Sequence, residues 1–363
     1  FLVPHWDEAE IQAGQEWAGG CQEHVLDDVE AIERRFLDLL GGDGVAVATS
    51  SGRTALQLAL RVLTQEGSGR DEVIIPSYSC RGLLDPILAC GLRPVFTDIG
   101  EDLNMTGACL APKLGPKTLA AVVVHLGGHY ARDLPAMDRM IRASGAVLIE
   151  DMCQALGGRT GESYWGATAP MSIYSFGLGK NLTATAGGML VARIALEATR
   201  AERARLGQED PSSVRTRFVH IRDVHFRSGL ARLLPAAPMP SEAFASAYAY
   251  NRMSGLDARL VQRQLAKLPR ILEGRARNAQ RIVATLPDLP DIEVIGRQGP
   301  HVWTKCTIHA RSANAAKQIR RFLNRAGVET EPMYTPLHLR GLAEAGQPSD
   351  FPVTERLYPC VFN

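Results

Sequence analysis

Two acidic residues, Glu150-Asp151, follow a continuous apolar run over residues 146–149, and Gly177-Leu178-Gly179-Lys180 follows a second apolar stretch over 171–176. A carboxylate delivered to the carboxyl end of a buried strand stands where open α/β sheets bind ligands, although a turn or cap residue would occupy the same place. Lys180 lies between glycines and a small, hydroxyl-rich run, residues 181–188, where a backbone can approach a ligand closely. At Ser51-Gly52-Arg53-Thr54 a short apolar run, 45–48, gives way to a helical pattern through Leu56, Leu60 and Leu63. The first N–H groups of a helix and its positive dipole end favour phosphate at such a point. Ser175, five residues before Lys180, could donate another hydrogen bond.

Pyridoxal phosphate needs this set: a lysine for the Schiff base, a carboxylate to keep the pyridine nitrogen protonated, and donors for the phosphate. The protonated ring becomes an electron sink, and the lysine, released by an incoming amine, is the natural base and acid for the proton that moves. Only six lysines occur among 40 cationic side chains, the rest being arginine. Lys113 and Lys117 sit in a Pro/Gly-punctuated polar stretch, Lys267 and Lys317 in charge-rich helical patterns, and Lys305 in an expected strand over 302–308. Lys180 has the best case of the six.

The elements that must position these residues alternate. Apolar residues at helical spacing over 22–40 stop at Gly41-Gly42, and strand-like runs at 72–75, 94–96 and 120–124 are separated by helical stretches, including 83–90 and 134–143. This is an α/β domain around a largely parallel sheet. Residues 193–232 hold nine arginines and read as exposed helix and loop, and 254–286 form a long helical pattern. The Pro-rich stretch 286–290 marks a boundary, beyond which strands at 292–295 and 302–308 and a helix over 313–326, N-capped by Ser312, compose a smaller α+β domain. The expected division is 1–253, a large cofactor-binding domain, and 254–363, the connecting helix and small domain.

With 40 basic and 39 acidic residues and a net charge of +1, the chain has no basic signature for nucleic acid. No apolar run reaches the length of a membrane span, and residues 1–8 are neither a basic nor a long apolar leader. Seven scattered cysteines, Cys21, Cys80, Cys90, Cys109, Cys153, Cys306 and Cys360, with no C-x-x-C pair, read as reduced thiols of a cytoplasmic protein. His125 and His129 have metal-like spacing, but His125 follows a buried strand, so a core or pocket-wall histidine is favoured and no metal is expected.

Ser51-Gly52-Arg53-Thr54-Ala55-Leu56, the stretch Asp71 to Tyr78, Pro94 to Ile99, Val124-His125-Leu126, Ile149 to Ala155, Tyr174-Ser175-Phe176 with Lys180-Asn181, Arg252-Met253-Ser254 and Pro336-Leu337-His338 together resemble the DegT/DnrJ/EryC1/StrS family. These are fold-type-I, pyridoxal-phosphate-dependent aminotransferases that mostly act on nucleotide-linked keto sugars. The resemblance implies that Lys180 forms the Schiff base, Asp151 pairs with the pyridine nitrogen, Gln154 lies near the ring hydroxyl, and Ser175 with the Ser51-Gly52-Arg53-Thr54 backbone holds the phosphate. It implies a homodimer with shared active sites, Asn251 reaching the partner's cofactor, and substrate-side positions at Tyr78, His125, Tyr334 and His338. The partners expected are a small amino donor, glutamate or glutamine, and a keto acceptor, a nucleotide sugar or another natural-product ketone.

Three departures from the family pattern stand out. Cys80 occupies the position of a ring-stacking aromatic, a role that Tyr78 could take over, and Cys153 packs beside the ring. Thr185-Ala186 replaces Gly-Glu before Gly187-Gly188, and Tyr250-Asn251 abuts Arg252 with one residue fewer than usual, so that Tyr250 or Asn251 could be the partner-contacting residue. Two other readings stay open: a dehydration on the same scaffold, against which retention of Lys180 argues, and a regulatory or assembly relative without turnover.

Overall fold

The computed structural model describes residues 5–19, 25–227, 248–286, 292–341 and 346–363. Cys21, the end of the arginine-rich stretch at 228–232 and the boundary residues 287–290 lie outside the described residues. The principal strands are β1 (Val45–Thr49), β2 (Glu72–Pro76), β3 (Arg93–Thr97), β4 (Thr118–Val124), β5 (Val147–Asp151), β6 (Met171–Ser175), β7 (Gly188–Ala192), β8 (Ile292–Val294), β9 (Ile308–Ala310) and β10 (Val361–Phe362). Helices of eight or more residues are α1 (Glu8–Ala18), α2 (Val25–Leu39), α3 (Gly52–Gln65), α4 (Leu134–Ala143), α5 (Leu196–Arg203), α6 (Pro211–Arg227), α7 (Gly255–Thr285) and α8 (Ala313–Arg325). Contacts group the chain into two compact units, Phe1–Glu66 with Gly166–Ile271 and Gly67–Trp165 with Leu272–Asn363.

In the second unit β3, β2, β4 and β5 pair in that order, all parallel. All seven residues of β4 are buried, which is why the strand reads as an unbroken apolar run with no alternation. Helix α4 turns Met137 and Ile141 onto Ile74, Ala121, Val123 and Leu148. Parallel pairing brings the carboxyl ends of β2, β4 and β5 to one edge, so Ser77 to Cys80, His125 and Asp151 emerge side by side. Farther along, β8, β9 and β10 form a small antiparallel sheet. Helix α8 packs on it after its cap, where the Ala315 N–H donates to Ser312 Oγ at 3.2 Å.

The strand expected over 302–308 is corrected here: only Ile308 belongs to one. Val302 and Lys305 donate their N–H groups to the Gly128 and Gly127 carbonyls, both at 3.0 Å, and Trp303 takes a left-handed φ of 52°. Donors spent on an irregular loop cannot extend a ladder.

The first unit contains β1, β7 and β6, paired antiparallel in that order. Gly188 opens β7 beneath the start of α3; a Cβ there would meet the Ser51 carbonyl at 2.4 Å and the Gly52 nitrogen at 2.5 Å. Only glycine lets these backbones pass so closely. Glu10 of α1, fully buried, accepts from Gln264 of α7 at 2.8 Å and pairs with Lys267 at 2.6 Å. Residues 193–232, read as an exposed face, are exposed or half-buried at most of their described positions, and the reading needs correction at Arg217 on α6, which is completely buried.

Candidate active site

In the second unit, Asp151 ends β5 and is buried, its Oδ1 accepting the Cys153 N–H at 2.9 Å. Gln154, three residues on, is held at both ends of its amide: Oε1 accepts from the Gly127 N–H at 2.9 Å and Nε2 donates to the Tyr334 hydroxyl at 3.0 Å. Burial pushes the Tyr334 hydroxyl well above its ordinary pKa, and the neighbouring Cys80, Asp151 and Tyr78 add to the rise. Tyr334 thereby joins Asp151, Gln154, Cys80 and Tyr78 in one neighbourhood. The rings of Tyr78 and Tyr334 meet edge to face at 6.3 Å.

His125 and His338 are in the same unit, and both ring nitrogens of each are engaged. His125 Nδ1 accepts the Ala131 N–H at 3.0 Å, so Nε2 carries the proton and donates to Glu150 Oε1 at 2.7 Å. The ring packs against Tyr130 and Trp165 at 5.3 and 5.6 Å, and those two rings meet each other at 4.9 Å. The acidic partner that no local spacing indicated thus comes from the adjacent strand. His338 bonds Ser77 through Nδ1 and Glu355 through Nε2. With the Leu337 N–H to Ser77 carbonyl bond of 2.7 Å, it latches the segment that carries Tyr78 and Cys80.

His129 does not join His125. Its ring lies 4.0 Å from that of His301, and burial lowers both pKa values, to about 4 and about 2, keeping the pair neutral. No group of three metal-binding side chains occurs among the described residues. A cavity of about 700 Å³ in this unit, bordered by Asp102, Arg132, Asp133 and Arg297, shares no residue with the expected site.

In the first unit, Ser51 caps α3: its Oγ accepts from the Thr54 N–H at 3.2 Å and lies 3.0 Å from Thr54 Oγ1. Gly52 and Arg53 form the helix's first turn, where backbone N–H groups have no intrahelical acceptor. The Arg53 guanidinium stands 3.9 Å over the Tyr248 ring. Ser175 ends β6, and Lys180 follows in the loop to β7, its N–H donating to the Gly177 carbonyl at 3.2 Å and its carbonyl accepting from Thr183 Oγ1 at 3.2 Å. Tyr250 is spent within its own chain: its hydroxyl donates to Glu202 at 2.7 Å and Arg61 lies over its ring. Asn251 gives its carbonyl to the Ser50 N–H at 2.9 Å, beside the α3 cap.

Several residues near these positions were not singled out from the sequence: Glu209, Arg217, Asp257 and Trp6. One signal was present, since Ser254-x-x-Asp257 before an apolar helix is a capping-box spacing. The others act across long sequence separations and leave no local mark.

The family model of the DegT/DnrJ/EryC1/StrS aminotransferase family matches residues 5–363. The chain belongs to this family. Pyridoxal phosphate is the cofactor that accompanies DegT/DnrJ/EryC1/StrS membership, as expected from the residues. The chain is 36% identical over 176 residues to UDP-N-acetyl-3-dehydro-alpha-D-glucosamine 3-aminotransferase of Acidithiobacillus ferrooxidans, covering 46% of this chain and 47% of that relative, about half its length. It is 30% identical over 325 residues to the erythromycin biosynthesis sensory transduction protein EryC1 of Saccharopolyspora erythraea, covering 86% and 77% of the two chains. Among solved structures, the aminotransferase TlmJ from Streptoalloteichus hindustanus superposes with a TM-score of 0.77 at 27% identity, covering 99% of this chain and 91% of that one. The fold class expected from the sequence is borne out. A GDP-4-keto-6-deoxymannose-3-dehydratase shares the fold as well, with a TM-score of 0.74 at 23% identity, covering 99% of this chain and 94% of that one. No helix among the described residues is long and apolar enough to cross a membrane.

Proposed function

We propose that this chain is a pyridoxal-phosphate-dependent aminotransferase that moves an amino group from glutamate or glutamine to a keto acceptor of the nucleotide-linked sugar class. The observation that carries the reading is Asp151, a buried carboxylate ending a parallel strand in a chain that retains Lys180. The donor set fits the cofactor: an acid for a cationic ring nitrogen, a hydroxyl-lined helix N-terminus for a phosphate, and a glycine-flanked lysine for an aldehyde.

When bound, the cofactor supplies a carbonyl for amines and a ring that accepts the electron pair left as a proton departs from the amine-bearing carbon. Asp151 would keep the ring nitrogen protonated, and Gln154 would bind the ring hydroxyl. Ser51, the N–H groups of Gly52, Arg53 and Thr54, and the Ser175 hydroxyl would hold the phosphate. Cys80 and Cys153 would pack against the ring. Lys180 would hold the cofactor through Nζ and, once displaced, take up the substrate proton and return it on the other carbon.

Tyr78, buried, and Tyr334, half-buried, would limit water beside Asp151. His125 and His338, with every ring nitrogen engaged, would position the neighbouring segments. Residues 1–253 would carry cofactor binding, 254–363 would form the connecting helix and the small domain, and a second copy of the chain would complete each site near Asn251.

Borohydride reduction after incubation with pyridoxal phosphate, followed by peptide mapping, tests this. One label should appear, on Lys180, with none in Lys180→Ala. Glutamate or glutamine added before the reductant should remove it. A chain that takes up no label at Lys180 is not this enzyme.

A further inference from the structure

We propose that Asp257 is a positioning residue for Lys180, fastening the far end of the lysine loop, while Arg217 and Glu209 brace its carboxylate. The inference rests on the role given to Lys180 above.

The loop between β6 and β7 contains Gly177, Gly179 and Gly187, the last two at φ of 80° and 122°. Such a segment has little stiffness of its own. Its shape comes from a few bonds. Ala184 donates to the Phe176 carbonyl at 2.7 Å, Gly187 donates to the Ser50 carbonyl at 2.8 Å, and Trp6 Nε1 donates to the Thr183 carbonyl at 2.7 Å. The densest set converges on one atom. Asp257 Oδ1 accepts from the Thr185 N–H at 2.8 Å, the Thr185 hydroxyl at 2.7 Å and the Ala186 N–H at 3.1 Å.

Three donors on one ionised oxygen make charge-assisted bonds, stronger than neutral ones. Thr185-Ala186, the pair that departs from the family pattern, is therefore where this chain attaches the loop.

The acceptor is itself held rigidly. Asp257 lies in the first turn of α7, where the helix dipole favours a carboxylate, and its Oδ2 accepts from the Ser254 hydroxyl at 2.6 Å. Arg217 Nη2 stands 3.7 Å from that Oδ2 and 2.9 Å from Glu209 Oε2, while Nε donates to the Thr185 hydroxyl at 3.4 Å. Burying a guanidinium this completely is costly unless its partners are well placed. Here it touches the acceptor, the loop and the Glu209 carboxyl group, so this buried cation sits at the loop's attachment.

The test compares the parent chain with Asp257→Ala, Asp257→Asn and Thr185→Val, each shown to be folded by circular dichroism. Three quantities are read: amide exchange of residues 183–187 before cofactor is added, the rate of borohydride-trapped labelling at Lys180 at fixed pyridoxal phosphate, and the pH at which the bound-cofactor absorbance titrates.

Asp257→Ala should exchange faster and label about tenfold more slowly, because the amine is no longer held in place. Asp257→Asn keeps an oxygen acceptor on the same stem and should restore most of the rate. Thr185→Val keeps both backbone donors and should fall between, and it decides the matter if Asp257→Ala does not fold. Parental labelling rates and an unmoved titration in folded Asp257→Ala, or in Thr185→Val if it must decide, would overturn the inference. Failure of the parent itself to label at Lys180 would instead overturn the proposed function.

Discussion

Gln154 Nε2 donates to the Tyr334 hydroxyl at 3.0 Å, joining residues 180 positions apart. Since Oε1 of the same amide accepts the Gly127 N–H, the side chain cannot turn without losing both bonds. Tyr334→Phe removes the acceptor and leaves a buried amide donor unpaired. The expected loss is about 1–3 kcal/mol, read as a lower urea midpoint at unchanged slope. If Gln154 binds the cofactor ring, equilibrium dialysis should also show weaker retention of pyridoxal phosphate.

The His125 and Glu150 pair should be intolerant of losing one member. Both side chains are almost fully buried, and His125→Phe takes the Nε2–H donor away from the Glu150 carboxylate. Losing a hydrogen bond to a buried charged group in this way costs about 1.5–3 kcal/mol. Glu150→Gln preserves an acceptor for the Nε2–H and should cost distinctly less. Equal midpoints for the two variants in urea denaturation would refute this account of the pair.

Glu209 should make stability depend on pH. Burial first, and then the nearby Asp257 carboxylate, raise its pKa from 4.5 to about 8, against the opposing pull of Arg217. Between those values the unfolded chain has released the proton and the folded chain still holds it, so stability falls as pH rises. The contribution is fully present below pH 4.5 and lost by about pH 8. Thermal melts of Glu209→Gln should fall less over this window than those of the parent. Parallel curves would show that Glu209 carries no such linkage.

The sheet was legible because its strands are buried on both faces. The run 120–124 is apolar without alternation, and β4 is buried at every position. The helix start at Ser51-Gly52-Arg53-Thr54, the helix after Ser312 and the strand ending at Asp151 were legible for related local reasons. Val302 to Lys305 were not, because their backbone donors go to a loop distant in sequence. Nor could Arg217 be told from its neighbours: only the fold places Glu209, Asp257 and Thr185 around it. For the histidines, spacing suggested His125 with His129, whereas adjacent strands bring His125 to Glu150.

The bond from Trp6 to the Thr183 carbonyl spans 177 residues. Contacts of such separation require a long loop to close first, and proteins rich in them fold slowly. During synthesis the indole is made 177 residues before the carbonyl that it holds. The lysine loop has all of these contacts only once Asp257 has been made, and a polypeptide that stops short of it has the amine without the means to aim it.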